Sequence, residues 1–139
     1  MKSLITLLAV FLSFNVLATC EMPFAQANTC AKIEWIDGPH LDVKSHFQLT
    51  FWEMGDASET PVTPSFDVKV YSWMTMANGH NHGGPAMTLE NIGDGLYEVR
   101  DARFFMHGMK GFWEVRVELK ENRNVISLGK HRVKLPSHD

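Results

Sequence analysis

The stretch FWEVRVELK, residues 112–120, alternates apolar and charged side chains along its length. Its odd-numbered apolar residues, from Trp113 to Leu119, point to one side of an extended chain, and the charged residues point to the other. This two-residue period is typical of a strand that packs one face on a core and leaves the other in water. The stretch therefore predicts an amphipathic β-strand.

The same alternation recurs in short segments on either side of this strand, and turn residues separate them. No segment has the pattern of an amphipathic helix. Recurring short strands favour an all-β fold, an antiparallel immunoglobulin-like β-sandwich of about seven strands, and a small closed barrel is the alternative. A break or bulge is expected near Gly129. The other predicted strands contain Ile33 and Trp35; Phe47, Leu49 and Phe51; Phe66, Val68 and Val70; residues 95–100; and Val125, Ile126, Leu128, Val133 and Leu135.

The N-terminus has the features of a secretory signal. Lys2 precedes an apolar run over residues 4–18, and this run of about 15 residues is shorter than the roughly 20 that a membrane span needs. Val16 and Ala18 fit the small-residue rule for cleavage after Ala18. We therefore expect a signal peptide at residues 1–18 and a single domain at residues 19–139, located in the periplasm or outside the cell.

Composition and motifs exclude several functional classes. The formal net charge is −3, so the chain lacks the basic surface expected of a nucleic-acid-binding protein. It has no Gly-x-Ser-x-Gly nucleophile motif and no glycine-rich phosphate loop between a strand and a helix. A metal-dependent enzyme is an alternative, but a catalytic zinc site usually has three firm histidine or carboxylate ligands. The sequence predicts that the protein is not an enzyme.

Two cysteines, Cys20 and Cys30, follow the predicted cleavage site. An even pair in an exported chain is typical of a disulfide, which would tie the N-terminus to the first strand. One alternative is a lipoprotein modified at Cys20, because the preceding residues approach a lipid-attachment signal. Another is a pair of thiolate metal ligands, although the ten-residue separation is wider than in common zinc or redox motifs.

Two stretches concentrate sulfur and imidazole side chains: WMTMANGHNHGGPAM at residues 73–87 and FFMHGMKGFW at residues 104–113. A thioether is a soft ligand that suits monovalent copper, and imidazole suits copper or zinc. The mixture predicts a metal site, with copper as the first choice and zinc as the second. The candidate ligands are Met74, Met76, His80, His82, Met87, Met106, His107 and Met109.

The two stretches occupy different predicted elements. Met74 and Met76 continue the strand that begins near Phe66, whereas the glycines and proline of residues 78–85 predict a loop that carries His80 and His82. In an extended loop, two imidazoles two residues apart point the same way. A common site therefore requires residues 79–85 and 106–111 to meet at one end of the sandwich.

Structural roles are the alternative for each of these residues. Methionine is a frequent filler of hydrophobic cores and adaptable binding surfaces, and most exposed histidines bind nothing. The same methionines would then form an apolar patch on a protein-interaction module that binds no metal. We expect the scattered histidines to be ordinary surface residues: His40, His46, His131 and His138.

Residues 74–119 resemble the YtkA-like and FixH-like group of small extracytoplasmic β domains. The shared features are a methionine-rich strand end, a His-Gly loop, a Gly-x-Tyr strand and an aromatic-methionine segment before a long strand. The resemblance implies an immunoglobulin-like fold and a carrier or accessory role in copper handling or oxidase assembly, with a membrane or periplasmic copper protein as partner. The matching positions are Met74, Met76, His80, His82, Gly84, Pro85, Gly95, Tyr97, Phe105, Met106, Gly111 and Trp113.

Overall fold

The structure is a computed structural model that describes residues 19–108 and 110–136. The predicted signal peptide, Met109 and His138 lie outside the described residues. The described part of the chain forms two antiparallel sheets, so the predicted β-sandwich is confirmed, with nine strands instead of about seven. The strands are β1 (Met22–Phe24), β2 (Thr29–Asp37), β3 (Ser45–Glu53), β4 (Asp67–Met76), β5 (Asn81–Gly83), β6 (Thr88–Gly93), β7 (Leu96–Ala102), β8 (Gly111–Glu121) and β9 (Asn124–Arg132).

The hydrophobic core lies between the two sheets. One sheet has the order β1-β2-β3-β7-β6, and the other has the order β5-β4-β8-β9. The alternating apolar residues of β8, from Trp113 to Leu119, are all buried and share one core with Phe47 and Phe51 of β3. The period-two pattern of β8 therefore has the predicted cause, which is burial of one strand face.

Of the break or bulge expected near Gly129, the break is wrong, because β9 continues through this residue, whereas a register shift lies a few residues earlier in the strand. Position 129 needs a glycine because side chains of β1 lie very close to the backbone of β9 at this point. A Cβ atom at this position would lie 2.5 Å from side-chain atoms of Met22 and of Phe24. The irregularity in β9 lies nearer its start, where consecutive β8 residues pair with Ser127 and Val125. The glycine thus allows β1 of one sheet to close over the edge strand of the other.

The predicted disulfide between Cys20 and Cys30 is present. It joins the segment before β1 to β2, and Cys30 is buried. Within residues 19–108 and 110–136, no helix is both long enough and apolar enough to cross a membrane.

Two hairpins lie in the part of the chain that carries the candidate ligands. The turn between β6 and β7 is a hairpin, as its Gly-Asp-Gly sequence predicts, and Gly95 has a φ of +67°. The connection after β4 differs from the prediction of a loop, because residues 81–83 form the short strand β5 against β4. His82 therefore lies on a strand, and its orientation is set by the register of that hairpin.

Candidate metal site

The β4–β5 hairpin places predicted sulfur and imidazole ligands opposite one another. The backbone N–H of Met76 donates a hydrogen bond to the carbonyl oxygen of His80 over 3.0 Å, and Met74 pairs with His82. Residues directly opposite each other in an antiparallel pair point to the same face, with Cβ atoms about 4.5–5.5 Å apart. Two thioethers and two imidazoles therefore share one face of the hairpin.

The local sequence explains why the hairpin closes here. The N–H of Gly79 donates to the carbonyl oxygen of Met76 over 3.0 Å, and Gly79 has a φ of +86° that suits a residue without Cβ. The side-chain oxygen of Asn78 accepts a 3.0 Å hydrogen bond from the N–H of His80. The Asn-Gly pair thus fixes the position of His80 relative to Met76.

Burial separates the candidate metal ligands of this face into an accessible group and a buried one. His80 and His82 are exposed, and Met76 is half-buried. Met74 is completely buried in the core, and its methyl carbon would lie 2.9 Å from a Cβ at Gly111. Met87 is half-buried and packs against the core. The accessible candidate ligands of the hairpin are therefore Met76, His80 and His82.

Trp113 joins the hairpin to the second stretch of candidate metal ligands, residues 106–111, which we call the second donor segment. It pairs with Met74 in the sheet and is buried. The ring of His82 lies 5.7 Å from its ring centroid and nearly perpendicular to it. Just before the second donor segment, the carbonyl oxygen of Phe105 accepts a 3.1 Å hydrogen bond from the indole N–H. The indole is thus held between the two stretches that the sequence singled out.

The second donor segment follows β7 and lies beside a groove. Met106 is half-buried, and His107 is exposed and stacks on Phe105 with ring centroids 5.4 Å apart. Both residues, together with Trp113, line a groove of about 690 Å³. The hairpin ligands do not line this groove.

The two donor segments meet at one end of the sandwich. The N–H of Ala77, just after β4, donates to the carbonyl oxygen of Lys110 over 2.9 Å. The backbones are therefore adjacent, as a common site requires, and Trp113 lies between the two sets of side chains. Met109, a further candidate ligand, lies outside the described residues.

Two of the histidines expected on the surface have other positions. His131 points inward from β9, opposite the buried Val115, and burial lowers the pKa of its imidazole. His46 is half-buried, with its Nε2 atom 3.3 Å from a carboxylate oxygen of Glu98. His40 contacts Asp37 over 2.6 Å at the surface.

Among the residues that the structure describes, no three histidine, cysteine, aspartate or glutamate side chains are grouped so that they could hold a metal ion. Met76, His80 and His82 do not form such a group, because one of the three side chains is a thioether. No protein-family model matches the chain, and no curated protein matches it. The resemblance to the YtkA-like and FixH-like group therefore stays a prediction.

Proposed function

We propose that this protein is an exported copper-binding protein that acts as a carrier or accessory factor in copper handling or oxidase assembly. The observation that carries the proposal is the hairpin register, which puts the accessible thioether of Met76 opposite His80, with His82 on the same face. A soft sulfur ligand with two imidazoles is a set that suits copper better than zinc, since structural zinc sites favour thiolate and imidazole.

The hairpin also suits a protein that must release its metal. Its backbone is fixed by hydrogen bonds to β4 and within the turn. Little conformational entropy is therefore lost when the side chains gather around an ion. The imidazoles are exposed at the edge of the sheet, where a recipient protein can exchange its own ligands for them. We propose a membrane or periplasmic copper protein as that recipient.

The second segment supplies further candidate ligands at the same end of the molecule. Met106 and His107 reach the groove next to Trp113, and Met87 adds a half-buried thioether after the hairpin. In this proposal the hairpin holds the ion and these residues complete its coordination or receive it during transfer. Met74 contributes by packing, because its side chain is buried.

The proposal is tested by titrating the purified protein with monovalent copper and with zinc against a competing chelator. Copper should bind more tightly than roughly micromolar. Replacing both hairpin histidines, in the double variant His80→Asn/His82→Asn, should weaken copper binding at least about tenfold, or about 1.4 kcal/mol. The matched control His46→Gln removes an imidazole from the other sheet and should leave the affinity unchanged.

A protein-interaction module without metal is the second candidate function. It is favoured by the half-buried methionines Met76, Met87 and Met106, which pack against the core and leave part of their flexible side chains accessible. Absence of copper and zinc binding tighter than roughly micromolar would favour this function over the first. Equal weakening by the hairpin double variant and by His46→Gln would also contradict the hairpin site.

A further inference from the structure

The groove at the end of the sandwich has mostly apolar walls. One wall comes from the connection after β2 and the segment after β7, and the other from the start of β8 and the chain after β9. Its volume of about 690 Å³ falls in the range of sites that bind small molecules. The apolar lining consists of Leu41, Met106, Phe112, Trp113, Val133 and Leu135.

Two cationic side chains line the groove at and just after the end of β9. Arg132 and Lys134 are both exposed, and the guanidinium carbon of Arg132 lies 4.0 Å from the ring centroid of Phe112. Neither cation forms an ion pair with another of the described residues. Asp42 is the acidic residue of the lining. The groove therefore joins an apolar channel to a positive rim, in a chain whose formal net charge is −3.

We infer that this groove binds an anionic amphiphile with a carboxylate head and a hydrocarbon chain, such as a medium-chain fatty acid. The carboxylate would pair with Arg132 and Lys134, since a guanidinium fork matches a carboxylate in geometry and charge. The chain would lie along Met106, Trp113 and Leu135, away from water.

This ligand class follows from the combination of the two features. A neutral alcohol of the same length lacks a partner for the cations, and a short carboxylate lacks the chain that the apolar walls would cover. The inference does not rest on the proposed copper site, because the hairpin ligands do not line the groove. Met106 and His107 do line it, so the groove is tested on the protein without metal.

The test is a titration of the metal-free protein with dodecanoate, followed by nuclear magnetic resonance of the Trp113 indole N–H and the Met106 methyl group. Both signals should shift on binding, and dodecanol and acetate should bind at least roughly tenfold more weakly. The double variant Arg132→Gln/Lys134→Gln should weaken dodecanoate binding by a similar factor. The matched double variant Arg123→Gln/Lys130→Gln, which removes two exposed cations outside the groove, should bind dodecanoate like the parent.

Each remaining outcome would overturn the inference. These outcomes are equal binding of dodecanol and dodecanoate, shifts confined to another surface, or equal effects of the two double variants. Binding of a synthetic peptide of alternating glutamate and leucine, without binding of dodecanoate, would assign the groove to a protein partner instead. Because Arg132 lies over the ring of Phe112, the melting temperature of each variant is measured beside its binding. The single variant Lys134→Gln leaves that contact in place and provides a second comparison with Arg132→Gln.

Discussion

At the residue scale, His131 shows how burial of one imidazole makes stability depend on pH. Its pKa is lowered from the ordinary value of 6.5, mainly by desolvation, while the charge of Glu21 opposes the shift. Because the unfolded chain takes up the proton more readily, the free energy of unfolding should fall as the pH drops through 6.5 toward the lower pKa of the folded state. Above 6.5 the contribution is fully present.

Urea unfolding between about pH 5 and 8 measures this dependence. The variant His131→Leu should lose the part of the slope that comes from this residue. Glu21→Gln should lower the pKa of His131 further and extend the slope to lower pH, since it removes the opposing charge. A parent slope that persists unchanged in His131→Leu would contradict the assignment to this imidazole.

Met74 and Met76 provide a matched pair for testing the proposed metal site. They lie two residues apart on β4, but Met74 is completely buried and Met76 is half-buried. Leucine keeps a similar volume and removes the thioether, so each replacement should cost less than about 1.5 kcal/mol of stability. Met76→Leu should weaken copper binding roughly tenfold, and Met74→Leu should leave it within about twofold. The reverse order, measured by chelator competition, would place the ligand inside the core.

The sequence predicts the types of side chain at this site better than their accessibility. Soft and imidazole ligands are visible as residue types, whereas the burial of Met74 depends on how β4 pairs with β8. His131 escaped prediction because the inward residues of β9 beside it are Ser127 and Gly129, which give no apolar alternation. Its environment comes from the preceding strand β8 and from Glu21 beside β1, at the other end of the domain in sequence.

At the element scale, Gly129 controls the contact between β1 and β9. Replacing it with alanine would put a Cβ atom 2.5 Å from Met22 and Phe24, two buried side chains that have little room to move. Such overpacking should lower the free energy of unfolding by about 1–3 kcal/mol. The control Gly93→Ala should be close to neutral, because its nearest neighbour would be at 3.6 Å. Urea unfolding of both variants compares them, and equal stabilities would contradict the packing argument.

The strands with regular alternation were predictable, and the three-residue strands β1 and β5 were not. β8 has 11 residues, and no turn residue interrupts the alternation of its side chains over residues 112–120. β5 has only 3 residues in a glycine-rich stretch, and its pairing depends on the neighbouring β4. The same pairing orients His82, so the geometry of the candidate site could not be read from the local sequence.

At the scale of the whole molecule, the disulfide constrains the start of the domain. Cys20 and Cys30 are 10 residues apart, and closing a loop of that size should stabilise the fold by about 2–3 kcal/mol through the entropy of the unfolded chain. Reduction of the intact protein should lower the free energy of unfolding by that amount. Copper affinity of the hairpin should not change, because β5 and β9 are opposite edges of their sheet and β1 packs against β9.

Two measurements separate these effects. Urea unfolding of the oxidised and the reduced protein gives the contribution of the disulfide without a substitution that would leave a cavity at the buried Cys30. Chelator competition on both forms gives the copper affinity. Equal unfolding free energies would contradict the entropic role. A gain of copper binding on reduction would show that the freed thiols are ligands, and a loss would show that the hairpin site depends on the constrained N-terminus.

The sandwich as a whole was predictable, because period-two segments with short turns leave few other ways to bury one face of each strand. The meeting of the donor segments was not, because it depends on the long-range pairing of Met76 with Gly111 and on the contacts of Trp113. No local pattern encodes such pairing.

The contact between β1 and β9 has a consequence for how the chain reaches this fold. A polypeptide emerges from the ribosome with its N-terminus first, so Met22 and Phe24 appear long before the strand that covers them. A nascent chain that ends before Gly129 lacks the part of β9 that packs against those two side chains. Closure of this domain therefore waits until β9 is available to pack against β1.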